Sequence, residues 1–154
     1  MRDWALASLA GLGSAALLGG ALFFQYVVGL APCELCILQR WPHLVAFIIG
    51  LIVWFVPSVW LMGLGALSAA TAGGLGVYHT GVERGWWEGP THCSGGGDIS
   101  ALTPQQLLDQ VMAAPVVRCT DVAWEMLGLS MASWNAIFSF GLVGVWLIAM
   151  RRRA

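Results

Sequence analysis

Residues 33–36 read CELC, two thiols three positions apart, and Arg40 follows four residues after Cys36. Thiols at that spacing close a small reactive disulfide, ligate zinc, or do neither. A second pair, Cys93 and Cys119, stands far downstream. On its own such a pair staples a loop, worth roughly 3 to 4 kcal/mol by loop-closure entropy. Beside a CxxC it gains another use, because thiols and disulfides exchange by thiolate attack through mixed disulfides. If Cys36 and Arg40 share one helix, the guanidinium approaches the Cys36 sulfur. A cation there lowers a thiol pKa and enriches the thiolate, which is the nucleophile. The bland reading of Arg40 is a side chain snorkelling to lipid headgroups. Pro42 bears on the geometry, since proline disfavours helical backbone in the residue before it, here Trp41. Zinc competes for the same sulfurs: Cys33, Cys36, His43, His92 and Cys93 are donor types that a tetrahedral site uses. Their spacing fits no common zinc motif, so no metal is expected.

The elements that must carry these residues are written in the charge distribution. Of 154 residues 58% are hydrophobic and 10% charged, with mean hydropathy +0.77. Soluble domains are about a quarter charged. No charged residue lies between Asp3 and Glu34, between Arg40 and Glu83, or between Glu125 and Arg151. A helix needs about 20 apolar residues to cross a hydrocarbon core about 30 Å thick. The first and last gaps therefore hold one crossing each and the middle gap two, broken by a turn at Val56 to Ser58. This predicts an all-α integral membrane protein, a single domain of four transmembrane helices over about 4–28, 41–55, 59–80 and 133–150. The loops at about 29–40 and 81–132 lie on one side of the membrane. The first apolar run is longer than the core of a cleavable signal and is read as a retained span.

Four crossings put both termini on the same side. Arg2, Arg151, Arg152 and Arg153 lie at the termini, whereas Arg40, Arg84 and Arg118 share the connecting loops with seven of the eight acids. The positive-inside rule then sets the termini in the cytoplasm. All four cysteines face the opposite, oxidising compartment, where disulfides persist. Trp4, Trp41, Trp86, Trp87 and Trp134 fall near span ends, as an interfacial aromatic belt requires. The net charge of −1 gives no reason to expect a nucleic-acid partner.

In the second loop, Thr103 as N-cap, Pro104 at the first helical position and Gln106 form a capping box. Leu107, Leu108, Val111 and Met112 then make one apolar stripe. This short amphipathic helix is suited to lie on a membrane surface or to dock a partner; it could equally pack the loop against the bilayer. The stretch HCSGGG, with Gly95 to Gly97, supplies backbone freedom next to Cys93.

A thiol oxidase must pass two electrons onward, yet the chain has no GxGxxG for a flavin and no CxxCH for a haem. A lipid-soluble quinone meets that need where a dithiol sits at the membrane edge. Tyr78 and His79, at the outer end of the third span, are candidates to line the acceptor site.

Three stretches carry a family resemblance: PCELCILQR from Pro32 to Arg40, VYHT from Val77 to Thr80, and RCTDVAWEMLGLSMASWN from Arg118 to Asn135. With four spans and two loop cysteine pairs in the same order, the chain resembles the disulfide-bond formation protein B family, bacterial inner-membrane thiol oxidases. The resemblance implies a resting Cys93–Cys119 disulfide, attacked at Cys93 by a periplasmic DsbA-type, thioredoxin-like oxidase to give a mixed disulfide. Released Cys119 would exchange with Cys33, and Cys36 would become the thiolate that meets ubiquinone or menaquinone. Arg40 would stabilise that encounter, His79 would sit near the quinone ring, and the chain is expected to work as a monomer.

Two alternatives are separable. One is a four-helix membrane scaffold whose cysteines form inert structural disulfides. The other is a quinone-linked reductase like vitamin K epoxide reductase, in which the loop pair precedes the CxxC; the order here is reversed.

Overall fold

The computed structural model describes residues 2–90, 103–113 and 117–154. Cys93, His92 and Gly95 to Gly97 lie outside the described residues. Helix α1 covers Asp3–Tyr26, α2 Glu34–Phe55, α3 Val59–Glu83, α4 Pro104–Ala113 and α5 Met131–Arg153, with strands β1 Glu125–Met126 and β2 Leu129–Ser130 before α5. Four of these helices, α1, α2, α3 and α5, are long and apolar enough to cross a membrane. Spans of 22 to 25 residues extend about 33 to 38 Å at about 1.5 Å per residue, against a hydrocarbon core about 30 Å thick.

The four packed helices form a ring in which α1 lies on α2, α2 on α3, α3 on α5 and α5 on α1. Little apolar driving force exists between helices in lipid, so close approach of backbones has to hold them. Gly11 and Gly50 show this where α1 meets α2: a Cβ on Gly50 would stand 2.7 Å from the Gly11 Cα. Ser8 Oγ donates to the Gly50 carbonyl at 2.9 Å beside that crossing. On α3 the small residues Ala66, Ala69, Ala72, Gly73 and Gly76 are buried, and α5 inserts Trp146 against Gly65. Large apolar side chains such as Leu12, Trp60, Leu67 and Phe138 point outward, the side on which a bilayer would meet them.

One end of the bundle gathers both termini. Arg153 Nη1 pairs with Asp3 Oδ2 at 3.2 Å, and Arg153 Nη2 donates to the Pro57 carbonyl in the α2–α3 turn at 3.2 Å. Asp3 in the first turn of α1 and three arginines in the last turn of α5 also complement the two helix dipoles.

Helix α2 begins at Glu34, seven residues before the expected start near Trp41. Trp41 and Pro42 lie within the continuous helix. The reason is at its N-terminus, where Cys33 caps the first turn by accepting the Cys36 N–H on its own sulfur at 3.3 Å. Pro42 removes only its own N–H from the ladder, a loss that membrane helices tolerate. Helix α3 runs to Glu83 rather than ending near Thr80. Helix α5 starts at Met131, two residues before the expected Ser133, because Ser130 Oγ caps it by accepting the Ser133 N–H at 3.2 Å.

The capping box on α4 is formed as expected: Gln106 N donates to Thr103 Oγ1 at 3.3 Å and Thr103 N to Gln106 Oε1 at 3.0 Å. Leu108 and Met112 of its apolar stripe are exposed. The small antiparallel ladder pairs Glu125 with Ser130 and Met126 with Leu129 and was not anticipated. Its turn residues Leu127 and Gly128 both have positive φ, 55° and 76°, the conformation of a two-residue type I′ hairpin turn. Strands of two residues are too short to leave an alternating pattern.

Candidate functional site

Because α2 begins at Glu34, between the two cysteines, Cys36, Gln39, Arg40 and His43 recur at three- and four-residue steps along one helical face. All four line one cleft, together with Cys33, His79 and Glu83 of α3, and Asn135 of α5. Its other wall is the apolar face of α1 (Leu17, Leu18, Ala21 and Phe24), and Trp124 also lines it, in contact with Phe24 at 5.2 Å between rings. The space amounts to about 820 Å³ including its open mouth.

Cys33 and Cys36 are free thiols, with Sγ atoms 2.8 Å apart. Cys33 is buried, and Cys36 is the more exposed of the two. The hydrogen bond that Cys33 donates to Cys36, followed by its burial, pushes the Cys33 thiol well above the ordinary range. Cys33 therefore keeps its proton, and Cys36 accepts it in a hydrogen bond. Cys119 is disulfide-bonded and fully buried, in one apolar cluster with Cys33, Leu35 and Val82. A reduced dithiol and an oxidised loop cysteine are thus packed into the same cluster.

His79 links them. Its Nε2 stands 3.5 Å from Cys33 Sγ, and the ring hydrogen-bonds to the backbone of Cys119. Glu83, one turn further on α3, is 3.8 Å from the same nitrogen and accepts a hydrogen bond from Ser130 Oγ. Arg40 lies one turn beyond Cys36, where its Nη1 donates to Gln25 Oε1 of α1 at 2.5 Å. Its Nε is buried with no protein partner.

Of the expected site residues, the structure brings Cys33, Cys36, Arg40 and His79 to one cleft and packs Cys119 against it. Tyr78 is not among the cleft residues: its hydroxyl donates to the Glu88 carbonyl at 3.2 Å, and its ring stacks on Trp87. On a helix, neighbours in sequence point about 100° apart, and here His79 lines the cleft while Tyr78 does not. Gln39, Glu83 and Asn135 were not foreseen. Polar side chains within a span are functional candidates by default, and a helix drawn from Cys33 would have aligned Gln39 and His43 with the dithiol.

Cys33, Cys36 and His79 offer ligand atoms within 4.8 Å of one another, a thiolate and imidazole donor set of the kind zinc takes. Gln39 Nε2, however, donates to His79 Nδ1 at 2.9 Å. That leaves the ring proton on Nε2, so the nitrogen facing the sulfurs is a donor and not a free metal ligand.

Fold and site define a multi-pass membrane protein with a dithiol and a disulfide-bonded loop cysteine packed together at one end of its spans. Such a protein is built for thiol–disulfide exchange. The family model for disulfide bond formation protein DsbB matches residues 3–149, and the chain belongs to that family, whose work is disulfide bond formation. It is 34% identical over 155 residues to disulfide bond formation protein B of Verminephrobacter eiseniae, covering 95% of this chain and 84% of the relative. The protein of that name from Dechloromonas aromatica is 31% identical over 162 residues, covering 99% and 94%. One from a Shewanella species is 34% identical over 141 residues, covering 88% and 81%. No solved structure matches the chain.

Proposed function

We propose that this protein reoxidises a periplasmic DsbA-type dithiol oxidase and passes the electrons to a quinone of the bacterial inner membrane, with both termini in the cytoplasm. The observation that carries the reading is the free Cys33–Cys36 pair at the polar side of a cleft whose opposite wall is the apolar face of α1. An inert staple would not leave two thiols unpaired in contact, which speaks against the scaffold reading.

In this reading the soluble partner's thiolate attacks Cys93, forming a mixed disulfide and releasing Cys119 as a thiolate. In the oxidised enzyme, with Cys33 and Cys36 joined, the Cys119 thiolate attacks Cys33, forming a Cys119–Cys33 disulfide and releasing Cys36 as a thiolate; the packing cluster that Cys119 and Cys33 share supports a short path. The partner's second thiolate attacks the mixed disulfide, leaving as the oxidised partner and releasing Cys93, which displaces Cys33 from Cys119; the Cys93–Cys119 disulfide is restored and the Cys33–Cys36 dithiol carries the two electrons. A quinone, ubiquinone or menaquinone, supplies an acceptor for two electrons and two protons, leaving a Cys33–Cys36 disulfide and a hydroquinone.

The cleft fits such a group. Leu17, Leu18 and Phe24 offer an apolar surface for a ring, while Arg40 Nε and His43 Nδ1 are buried polar atoms with no protein partner. Arg40 holds positive charge beside Cys36, and Gln25 fixes its fork through Nη1. The Cys33 proton shared with Cys36 keeps the electron-rich sulfur on the more exposed side of the pair. The test is anaerobic mixing of the purified protein with a reduced thioredoxin-like oxidase and ubiquinone, followed by quinone absorbance. Cys36→Ala is expected to abolish quinone reduction; full activity in that variant overturns the assignment.

A further inference from the structure

Four buried amides and imidazoles run from the dithiol into the centre of the bundle. Gln39, His43 and His79 are almost fully buried, so the direction of each hydrogen bond is set by donors and acceptors within the protein. Gln39 Nε2 donates to the Leu35 carbonyl at 3.0 Å and to His79 Nδ1 at 2.9 Å. Its Oε1 accepts from Asn135 Nδ2 at 2.7 Å. Asn135 Nδ2 also points at the Ala72 carbonyl, 3.4 Å away, and Asn135 Oδ1 lies 2.8 Å from His43 Nε2.

Read in sequence, the bonds all run one way. His43 Nε2–H donates to Asn135, Asn135 to Gln39, and Gln39 to His79 Nδ1. The only position left for the His79 proton in the neutral ring is Nε2, which faces Cys33 Sγ at 3.5 Å; the ring also hydrogen-bonds to the Cys119 backbone, and Glu83 stands 3.8 Å from the same nitrogen. Could the whole chain reverse? Flipping the Gln39 amide would set its Oε1 against the Leu35 carbonyl, and flipping Asn135 would set Oδ1 towards the Ala72 carbonyl. Each places two acceptors together, at the cost of an unsatisfied buried pair. The two backbone carbonyls therefore lock the polarity.

We propose that Gln39 and Asn135 are positioning residues that hold His79 in its Nε2–H tautomer. His79 thereby presents a fixed N–H donor where Cys33 and the Cys119 backbone meet, and not a base that takes the thiol proton. This rests on the redox reading given above, in which Cys33 and Cys36 cycle between dithiol and disulfide. A donor aimed at Cys33 stabilises the thiolate that forms on that sulfur when Cys93 displaces it from Cys119. A ring with bare Nε2 would instead compete with Cys36 for the Cys33 proton.

The test is nitrogen NMR of the full-length reduced protein in detergent or nanodiscs, labelled at histidine, with the His79 signals identified by their loss in His79→Gln. Wild type is expected to show His79 protonated at Nε2 and bare at Nδ1. Gln39→Glu, which presents an acceptor to Nδ1, is expected to move the proton to Nδ1. Gln39→Leu is expected to give a mixture of tautomers and to slow electron transfer to ubiquinone about tenfold, the worth of one ordinary hydrogen bond, at unchanged KM for the soluble dithiol. Nδ1 protonation in wild type overturns the proposal whether or not any variant folds, as does an unaltered tautomer in Gln39→Glu. The NMR readout does not depend on turnover, so a wild type that reduces no quinone would strike the functional reading alone.

Discussion

Cys33 caps the helix that carries Cys36: its Sγ accepts the Cys36 backbone N–H at 3.3 Å, while the two sulfurs stand 2.8 Å apart. One side chain thus ends the loop, starts the span and holds the reactive pair together. The raised Cys33 thiol makes the two cysteines unequal. In the reduced protein iodoacetamide is expected to modify Cys36 first, with Cys33 still largely unmodified at pH values around the ordinary thiol pKa of about 8.5. The sign follows from the shift: a pKa pushed up delays the thiolate to higher pH. Peptide mapping by mass spectrometry reads the order, and earlier modification of Cys33 would contradict this arrangement.

Arg40 is expected to act on the electron acceptor through its fixed fork. Arg40→Gln should raise the KM for a soluble quinone analogue about tenfold, the loss of roughly one charged hydrogen bond. Arg40→Lys should recover little, because a compact ammonium cannot keep Gln25 and present Nε to the cleft at once. Steady-state kinetics at varied quinone concentration decides this, and equal KM in all three proteins would remove Arg40 from the acceptor site.

The Gly11–Gly50 crossing predicts a stability cost that is local and large. Gly50→Val would drive a side chain into the α1 backbone and should destabilise by about 2 to 3 kcal/mol, the upper range for overpacking. Gly19 has nothing within 4 Å of a built Cβ, so Gly19→Ala should be neutral or stabilising by up to about 1 kcal/mol. Thermal unfolding of the detergent-solubilised proteins compares the two. Similar melting temperatures for both variants would show that the close crossing is not needed.

The proposed orientation is open to direct labelling. A membrane-impermeant thiol reagent added to intact spheroplasts should reach Trp86→Cys, at the loop end of α3. Arg2→Cys should react only after permeabilisation, since Asp3 and Arg153 pair at the opposite end of the bundle. Both variants are made with the four native cysteines replaced by alanine, and the reverse labelling pattern would invert the topology.

Much of this was legible in the residues themselves. Uninterrupted apolar runs determined four membrane spans, because charge is too costly in lipid to be placed there casually. The types and order of the cysteines indicated redox chemistry, and Arg40 and His79 were identifiable from their positions beside the dithiol and at a span end. Helix ends were less legible. The uncharged gap that opens after Arg40 argued for a start near Trp41, while the cap that extends α2 to Glu34 depends on where one sulfur points, and α3 carries Glu83 one turn past its expected end.

What only the tertiary structure decided is which polar groups meet. Gln39 and Asn135 are 96 positions apart, yet their side chains are 2.7 Å from one another, a meeting that no local pattern announces. Tyr78 and His79 are adjacent in sequence, yet only His79 faces the cleft. Hydropathy measures how greasy a segment is and is blind to the rotation of one helix against the next. That rotation is set by backbone contacts such as Gly11 on Gly50 and by the direction of buried hydrogen bonds, both of which exist only once the helices are packed.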